Sequence, residues 1–132
     1  MRIATVQFSP IYADKKSNLD RIIRTAENTS ADVIVFPELC TTGYYFLDKE
    51  KLAPMAEPFG GESCEEMQEI ATSQGKIIVF GFAESDGPKL YNSAAMIFPD
   101  AEMSCAYRKT HLFYNEFQVF EPGNSGFFVI ED

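Results

Sequence analysis

Two short apolar runs constrain the fold of this chain more than any other feature of its sequence. Residues 33–36 are Val-Ile-Val-Phe, and residues 77–80 are Ile-Ile-Val-Phe. Neither run alternates between apolar and polar side chains, so each predicted strand is apolar on both faces. This pattern is typical of parallel strands that are covered on both sides within an α/β sheet. We therefore expect helices between the strands.

The segments before these runs have helical periodicity. Residues 17–28 place four apolar side chains on one face, namely Leu19, Ile22, Ile23 and Ala26. Ser17 is a candidate N-cap for this helix. A second helix is predicted to begin at Ser63, where Ser63 and Glu66 match a capping box, and to end at Gly75. Its inner side is predicted to carry Met67, Ile70 and Ala71.

The order of elements predicts the fold class. Strands are expected over residues 2–8, 31–36, 76–83, 90–98 and 103–109, and another is expected to begin at 127–130. Alternating strands and helices followed by consecutive strands indicate an α/β domain with a mixed sheet. No internal boundary divides residues 1–132, which are predicted to form a single domain. The Pro- and Gly-containing stretch 54–61 is short enough to be an active-site loop.

Composition excludes several classes of function. A chain of 132 residues with 45% apolar residues can bury a core, and its net charge of −9 argues against nucleic acid as a partner. No apolar run approaches the roughly 20 residues that span a bilayer, and the N-terminus does not resemble a signal peptide. Three widely spaced cysteines predict reduced thiols and a cytoplasmic location. A single histidine argues against a histidine-based metal site.

Three charged residues are candidates for chemistry. Glu38 follows Pro37 and the strand 31–36, so it lies at the carboxyl end of the sheet, where open α/β folds form ligand crevices. Lys109 lies in a Tyr-Arg-Lys-Thr-His-Leu-Phe segment, and Glu116 stands seven residues later. The alternatives are an ordinary loop carboxylate, a lysine at the solvent end of an edge strand, and a glutamate paired with a surface lysine.

Two segments, one around Glu38 and one around Lys109, resemble the N-terminal half of the domain found in the nitrilase superfamily of carbon–nitrogen hydrolases. Phe120 and Pro122-Gly123 follow Lys109 at a fixed distance and belong to the same resemblance. The resemblance implies half of a four-layer α-β-β-α sandwich. It implies that Glu38 is the general base and that Lys109 stabilises negative charge on the attacked carbonyl oxygen or nitrogen. Glu116 would brace the lysine, and Tyr44 is a candidate to line the substrate pocket.

The family's third catalytic residue is a cysteine, and the resemblance places it beyond Asp132. Cys40, Cys64 and Cys105 lie in no segment like the one that surrounds this nucleophile. We therefore expect the chain to lack the nucleophile and to be inactive alone. Three explanations for the missing nucleophile segment are open: a fragment of a longer enzyme, an interrupted reading frame and a natural half-length relative.

The resemblance predicts a hydrolase of small linear amides or N-carbamoyl compounds, with nitriles less expected. Water releases the acyl-enzyme in such a reaction, so no cofactor is expected. The predicted partners are a small substrate and either further copies of the chain or the missing C-terminal half, with no membrane or nucleic acid. A non-catalytic binding module is the alternative. A flavodoxin-like nucleotide binder is disfavoured because no Gly-rich loop follows the first strand.

Overall fold

A mixed sheet of five strands forms the centre of the molecule in the computed structural model, which describes residues 1–130. The strands are adjacent in chain order: β1 (Ile3–Thr5), β2 (Val33–Val35), β3 (Ile77–Asp86), β4 (Lys89–Ile97) and β5 (Cys105–Arg108). The first three are parallel, and β4 and β5 continue the sheet in antiparallel pairs. This arrangement confirms the predicted α/β class with a mixed sheet.

Strand lengths follow from the pairing rather than from apolar content. β1 and β2 share only three paired positions, so both are shorter than the predicted strands 2–8 and 31–36. In contrast, β3 extends beyond residue 83, because its polar end pairs with β4 in a hairpin as far as Asp86 opposite Lys89. Gly87, with φ of 57°, allows the tight turn between them.

Helices α1 (Lys15–Asn28) and α3 (Glu62–Gln74) connect the parallel strands, and a short α2 (Lys49–Leu52) continues into a 3-10 turn at Ala53–Met55. Both N-cap predictions were wrong. Asp14, not Ser17, caps α1 by accepting from the Ser17 amide at 3.0 Å. At α3 the Glu57 carboxylate accepts from the Ser63 amide at 3.0 Å, so a residue outside the helix replaces the capping box.

The predicted apolar faces of α1 and α3 are confirmed. They pack on one face of the sheet and form the main core, which includes Leu19, Ile22, Ala26, Ile34, Met67, Ile70, Ile78, Phe80 and Phe82. Gly75 has φ of 63° and ends α3 as predicted. No helix among the described residues has the length and apolar character needed to cross a membrane.

The opposite face of the sheet has two parts. Near the carboxyl end of β3, loops cover it with a second cluster that contains Leu39, Phe46, Leu52, Ala83, Leu90, Leu112, Val119 and Phe120. Further along the strands, side chains such as Val35, Val79 and Met96 are only half-buried. We call this second part the open face; it also contains Val33, Ile77, Ala94, Cys105 and Tyr107.

Two further predictions were wrong. Residues 127–130 form no strand, because the Arg108 amide at the edge of β5 donates to the Ser125 hydroxyl at 3.0 Å instead of to another strand. The stretch 54–61 lines neither cavity beside the candidate site. Instead Glu57 bonds the backbone of β3 and forms an ion pair with Lys15, which ties α1 to the sheet.

Candidate active site

The structure brings Glu38, Lys109 and Glu116 together at the carboxyl end of β2. The Lys109 ammonium donates to Glu38 Oε1 at 2.7 Å and lies 3.0 Å from Glu116 Oε1 and 2.9 Å from Glu116 Oε2. Glu38 follows β2 and Lys109 follows β5, so the sheet places two groups that are distant in sequence next to one another. One cation is thus held between two carboxylates.

A glycine in β3 fixes the backbone of Glu38. The Gly81 amide donates to the Pro37 carbonyl at 3.1 Å, and the Gly81 carbonyl accepts from the Cys40 amide at 2.9 Å. A Cβ atom at Gly81 would lie 2.6 Å from the Glu38 Cα and 2.5 Å from the Leu39 amide nitrogen. Since real Cβ atoms do not approach backbone so closely, only glycine permits this contact.

The backbone of Lys109 is held from both sides. Its amide donates to the Asn92 carbonyl at 2.8 Å, and its carbonyl accepts from the Gly123 amide at 2.9 Å. A Cβ atom at Gly123 would overlap the Arg108 carbonyl group, so this position also requires glycine. The side chain of Arg108 is anchored to the buried carboxylate of Glu84 at 2.5 Å, which fixes the strand that leads to Lys109.

Asn92 is a functional candidate that the sequence analysis missed. Its side-chain amide donates to Glu38 Oε1 at 2.6 Å and to Glu116 Oε1 at 2.8 Å, and the residue is 3% exposed. One side chain therefore bridges both carboxylates. The available signal was an asparagine within an apolar strand, where asparagine is disfavoured unless its amide has partners.

Glu116 lies in a 3-10 turn at Tyr114–Gln118, and both of its carboxylate oxygens have partners. Oε2 accepts from the Phe113 amide at 2.5 Å, and the Tyr44 hydroxyl lies 3.5 Å from Oε1. The side chain is 11% exposed. These contacts place Tyr44 beside Glu116, and its role in lining a substrate pocket stays a prediction.

The local charges keep the ion pair ionised. Burial lowers the pKa of Lys109, but hydrogen bonds and charges from Glu38 and Glu116 outweigh it, so the pKa lies above its ordinary value. Burial raises the pKa of Glu116, but the Phe113 amide, Lys109 and Asn92 outweigh it and the pKa is lowered. Burial and the two carboxylates raise the pKa of Tyr44.

Glu38 differs from Glu116 in its exposure. Its side chain is 43% exposed, and the bonds from Lys109 and Asn92 both go to Oε1, which leaves Oε2 available to a further proton donor. Glu38, Asn92 and Lys109 border a concavity of about 310 Å³ on the open face, beside Val35, Val79, Ala94 and Tyr107. The arrangement can accept a proton and stabilise an anion at the edge of one cavity.

Comparison with known proteins assigns the family. A family model described as carbon-nitrogen hydrolase matches residues 2–132. This chain belongs to the carbon–nitrogen hydrolase family. Within the described residues, no group of three or more His, Cys, Asp or Glu side chains could hold a metal ion.

Similar proteins include nitrilases and amidases. The chain is 38% identical to a nitrilase of Pyrococcus abyssi, covering 99% of this chain and 51% of that protein. It is 33% identical to an N-carbamoylputrescine amidase of Solanum lycopersicum, covering 98% of this chain and 46% of that protein. The structure of an N-terminal amidase superposes with a TM-score of 0.77 at 27% identity, covering 89% of this chain and 30% of that chain. The chain spans about half the length of the curated relatives it matches.

The three cysteines of this carbon–nitrogen hydrolase chain lack the properties of an activated nucleophile. Burial raises the pKa of Cys40 to about 12 and that of Cys64 to about 11, and both side chains belong to the main core. Cys105 lies on the open face, where burial also raises its pKa. Because the thiolate is the nucleophile, a raised pKa opposes catalysis. Within residues 1–130, no thiol is hydrogen-bonded to Glu38, Lys109 or Glu116.

Proposed function

We propose that this chain supplies the proton-transfer and charge-stabilising groups of a hydrolase that cleaves small linear amides or N-carbamoyl compounds. The observation that carries the proposal is the Lys109 ammonium held between Glu38 and Glu116 at 2.7 and 2.9 Å. The names of the relatives, a nitrilase and an amidase, support the same class of bond. Its three free cysteines suit a reducing compartment, so we place the reaction in the cytoplasm.

In this proposal Glu38 moves the proton. Oε2 takes the proton of a cysteine thiol as the sulfur attacks the carbonyl carbon and a C–S bond forms. The same carboxyl group returns that proton to the nitrogen as the C–N bond breaks and the amine or ammonia leaves. Water then attacks the carbonyl carbon of the thioester while Glu38 accepts a proton from it. The C–S bond breaks, Glu38 returns this proton to the sulfur, and the carboxylic acid leaves the regenerated thiol.

Lys109 stabilises the negative charge that develops on the carbonyl oxygen during both attacks. A positioned donor in such a site is worth roughly 10²-fold or more in rate. The raised pKa of Lys109 keeps its ammonium charged at neutral pH. Hydrogen bonds with Glu116 and Asn92 hold the ammonium and Glu38 in position relative to one another. Glu116 is therefore a bracing carboxylate rather than a proton carrier, since its pKa is lowered.

We propose that the nucleophilic cysteine comes from the remainder of the family domain. The concavity of about 310 Å³ beside Glu38 leaves room for an approaching thiol, while Cys40, Cys64 and Cys105 have raised pKa values. The same remainder would cover the open face, because half-buried apolar strands favour association. Light scattering should show the chain alone in associated form and a defined complex after the second half of the domain is added.

Hydrolysis assays test the proposal. Residues 1–132 alone should release no ammonia from small amides, and addition of a C-terminal half of the domain should produce thiol-dependent release. In that active form Glu38→Gln and Lys109→Ala should each lose about 10²-fold or more in kcat/KM with thermal unfolding nearly unchanged. Lys89→Ala, an exposed lysine in the β3–β4 turn, is the control.

Three outcomes would contradict this assignment. Either variant keeping more than about a tenth of the activity would remove Glu38 or Lys109 from the mechanism. Loss of activity on changing Cys40, Cys64 and Cys105 together to serine, in a protein that still folds, would place the nucleophile within this chain. If the completed domain bound amides without turnover, the alternative of a non-catalytic binding module would be favoured. The raised pKa values of Cys40 and Cys64 are compatible with that alternative as well.

A further inference from the structure

A small aromatic pocket adjoins Glu116. Its floor is formed by three buried side chains, Leu39, Phe46 and Phe120, and its rim by exposed rings of Tyr44, Tyr45, Phe113 and Tyr114. We propose that this pocket binds a short, uncharged apolar group of the substrate, so that Tyr45, Phe113 and Tyr114 determine which amides are accepted. This inference rests on the proposed amide hydrolysis and adds the substrate class.

The volume of the pocket limits the size of the group. The cavity measures about 70 Å³. An apolar cavity of about 150 Å³ holds one benzene molecule, so about 70 Å³ accommodates roughly three heavy atoms. A propyl chain has this size, which makes butyramide a better fit than acetamide.

The lining of the pocket favours an uncharged group. The Tyr45 hydroxyl already accepts from the Asn115 side-chain amide at 3.3 Å, and the oxygens of Glu116 are bonded to Lys109, Asn92 and Phe113. A charged substituent would therefore lose hydration and meet an apolar floor whose neighbouring Glu116 oxygens are already bonded, which is costly. An anionic substituent would also be repelled, because two carboxylates face a single ammonium at the site.

The backbone around the pocket is held in an uncommon conformation. Leu39, Tyr45 and Tyr114 have positive φ angles of 46°, 75° and 49°, and all three line the pocket. Left-handed backbone is unfavourable for a residue with a side chain. Such conformations are concentrated at ligand sites, where the surrounding structure maintains them. Here they direct a floor residue and two rim rings to one cavity, which supports a binding role.

The position of Glu116 connects the pocket to the chemistry. Glu116 lines the pocket and also lies 2.9 Å from the Lys109 ammonium. A group held between Tyr45 and Tyr114 therefore lies one side chain away from the groups that act on the amide. Binding in the pocket would orient the amide against Lys109.

Titration of residues 1–132 with butyramide, acetamide and 4-aminobutyramide tests the pocket directly. The titration is done at a dilution where light scattering shows no association, and binding is followed by the backbone amide NMR signals of the rim. Two additional methylene groups should make butyramide bind roughly tenfold more tightly than acetamide. The charged 4-aminobutyramide should bind more weakly than butyramide. Tyr114→Asn should abolish the preference while tolerating the left-handed backbone. Phe117→Ala is the matched control, because Phe117 is exposed in the same turn but does not line the pocket.

Hydrolysis by the completed domain separates this inference from the proposed function. The ratio of kcat/KM for butyramide to that for acetamide should fall towards one in Tyr114→Asn and stay unchanged in Phe117→Ala. A binding preference that depends on Tyr114, without hydrolysis of any amide, would contradict the proposed function and support the pocket. Any of three results would overturn the proposed role of the pocket. These are a butyramide-to-acetamide ratio of kcat/KM that does not depend on Tyr114, equal binding of the two amides, and tighter binding of 4-aminobutyramide than of butyramide.

Discussion

The two faces of the sheet differ in their cover and in the groups they carry. On the face under α1 and α3, Ile78 is fully buried, whereas its neighbour Ile77 on the open face is only half-buried. Asn92 lies on the same side as Ile77 and, with Glu38 and Lys109, borders the concavity there. The helix-covered face therefore contributes most of the packing energy, while the less covered face carries the polar groups that chemistry needs.

Replacement of adjacent isoleucines by alanine should show this difference most strongly. Ile78→Ala leaves a cavity in the main core and should reduce the free energy of unfolding by about 2–5 kcal/mol. Ile77→Ala removes the same atoms from the open face and should cost about 1 kcal/mol or less, because its apolar area is only partly buried. Urea unfolding of both variants is the measurement. Equal losses of unfolding free energy would mean that the open face is packed as densely as the helix-covered face.

Gly81→Ala should perturb the face of the sheet that carries the candidate site more than the helix-covered face. The new methyl group would contact the backbone of Glu38 and Leu39, so we expect a loss of about 1–3 kcal/mol together with displacement of Glu38. Urea unfolding gives the first quantity, and the amide NMR signals of residues 37–40 report the second.

Gly75→Ala is the control for this variant. Nothing lies within 4 Å of a Cβ atom at Gly75, whose φ is 63°. It should lose about 1–2 kcal/mol from the left-handed backbone alone and leave the signals near Glu38 unchanged. A Gly81→Ala protein with unmoved Glu38 signals would show that the close approach is not a constraint.

The ion pairs at the site should make stability depend on pH. The pKa of Glu116 in the folded protein is below its ordinary value of 4.5, so its stabilising contribution is present above that pH and is lost as pH falls through the folded value. The pKa of Lys109 is above its ordinary value of 10.5, so its contribution is present below that pH and is lost as pH rises through the folded value.

Urea unfolding of the natural chain and of Glu116→Gln, from about pH 7 to about pH 3, checks the acid side. The natural chain should be more stable at neutral pH, and the difference should shrink below about pH 4.5. Asp14 and Asp32 also have lowered pKa values, but they are common to both proteins and cancel in the difference. A difference that is constant over this range would contradict the ion-pair assignment.

Thiol reactivity should give the smallest effect, because it leaves the fold intact. Cys105 lies on the open face and is partly exposed, whereas Cys40 and Cys64 belong to the main core. A thiol reagent should modify one cysteine per chain before unfolding and all three afterwards, since only accessible thiolates react. Cys105→Ser should remove the early reaction. Early modification of Cys40 or Cys64 would show that the helix-covered face opens readily.

The sequence allowed prediction of the features that depend on local patterns and motif order. The apolar runs and helical periods indicated the order of strands and helices along the chain and the buried faces of both long helices. The motif around Glu38 and the spacing from Lys109 to Glu116 indicated residues that the structure brings into one cluster. Each of these signals is contained within a short segment of chain.

The remainder depends on contacts between distant segments. Asn92 joins the site only because strand register places it opposite Ala83 and beside Lys109. Glu57 caps α3 from outside the helix, which no capping pattern within the helix indicates. A strand at residues 127–130 was predicted from apolar content alone, but a strand also needs a partner edge, and the Ser125 hydroxyl occupies that position at Arg108.

The bridging amide of Asn92 also determines how far apart two negative charges can lie. Glu38 and Glu116 come from segments widely separated along the chain, yet the same nitrogen is 2.6 Å from an oxygen of one and 2.8 Å from an oxygen of the other. While both hydrogen bonds are formed, those two oxygens can be no farther apart than the sum of these distances. The spacing of the carboxylates is therefore set by the Asn92 amide on β4 together with the Lys109 ammonium, which contacts the same two oxygens at 2.7 and 3.0 Å. Rotation of the exposed Tyr44 ring can therefore change access to the site without changing this spacing.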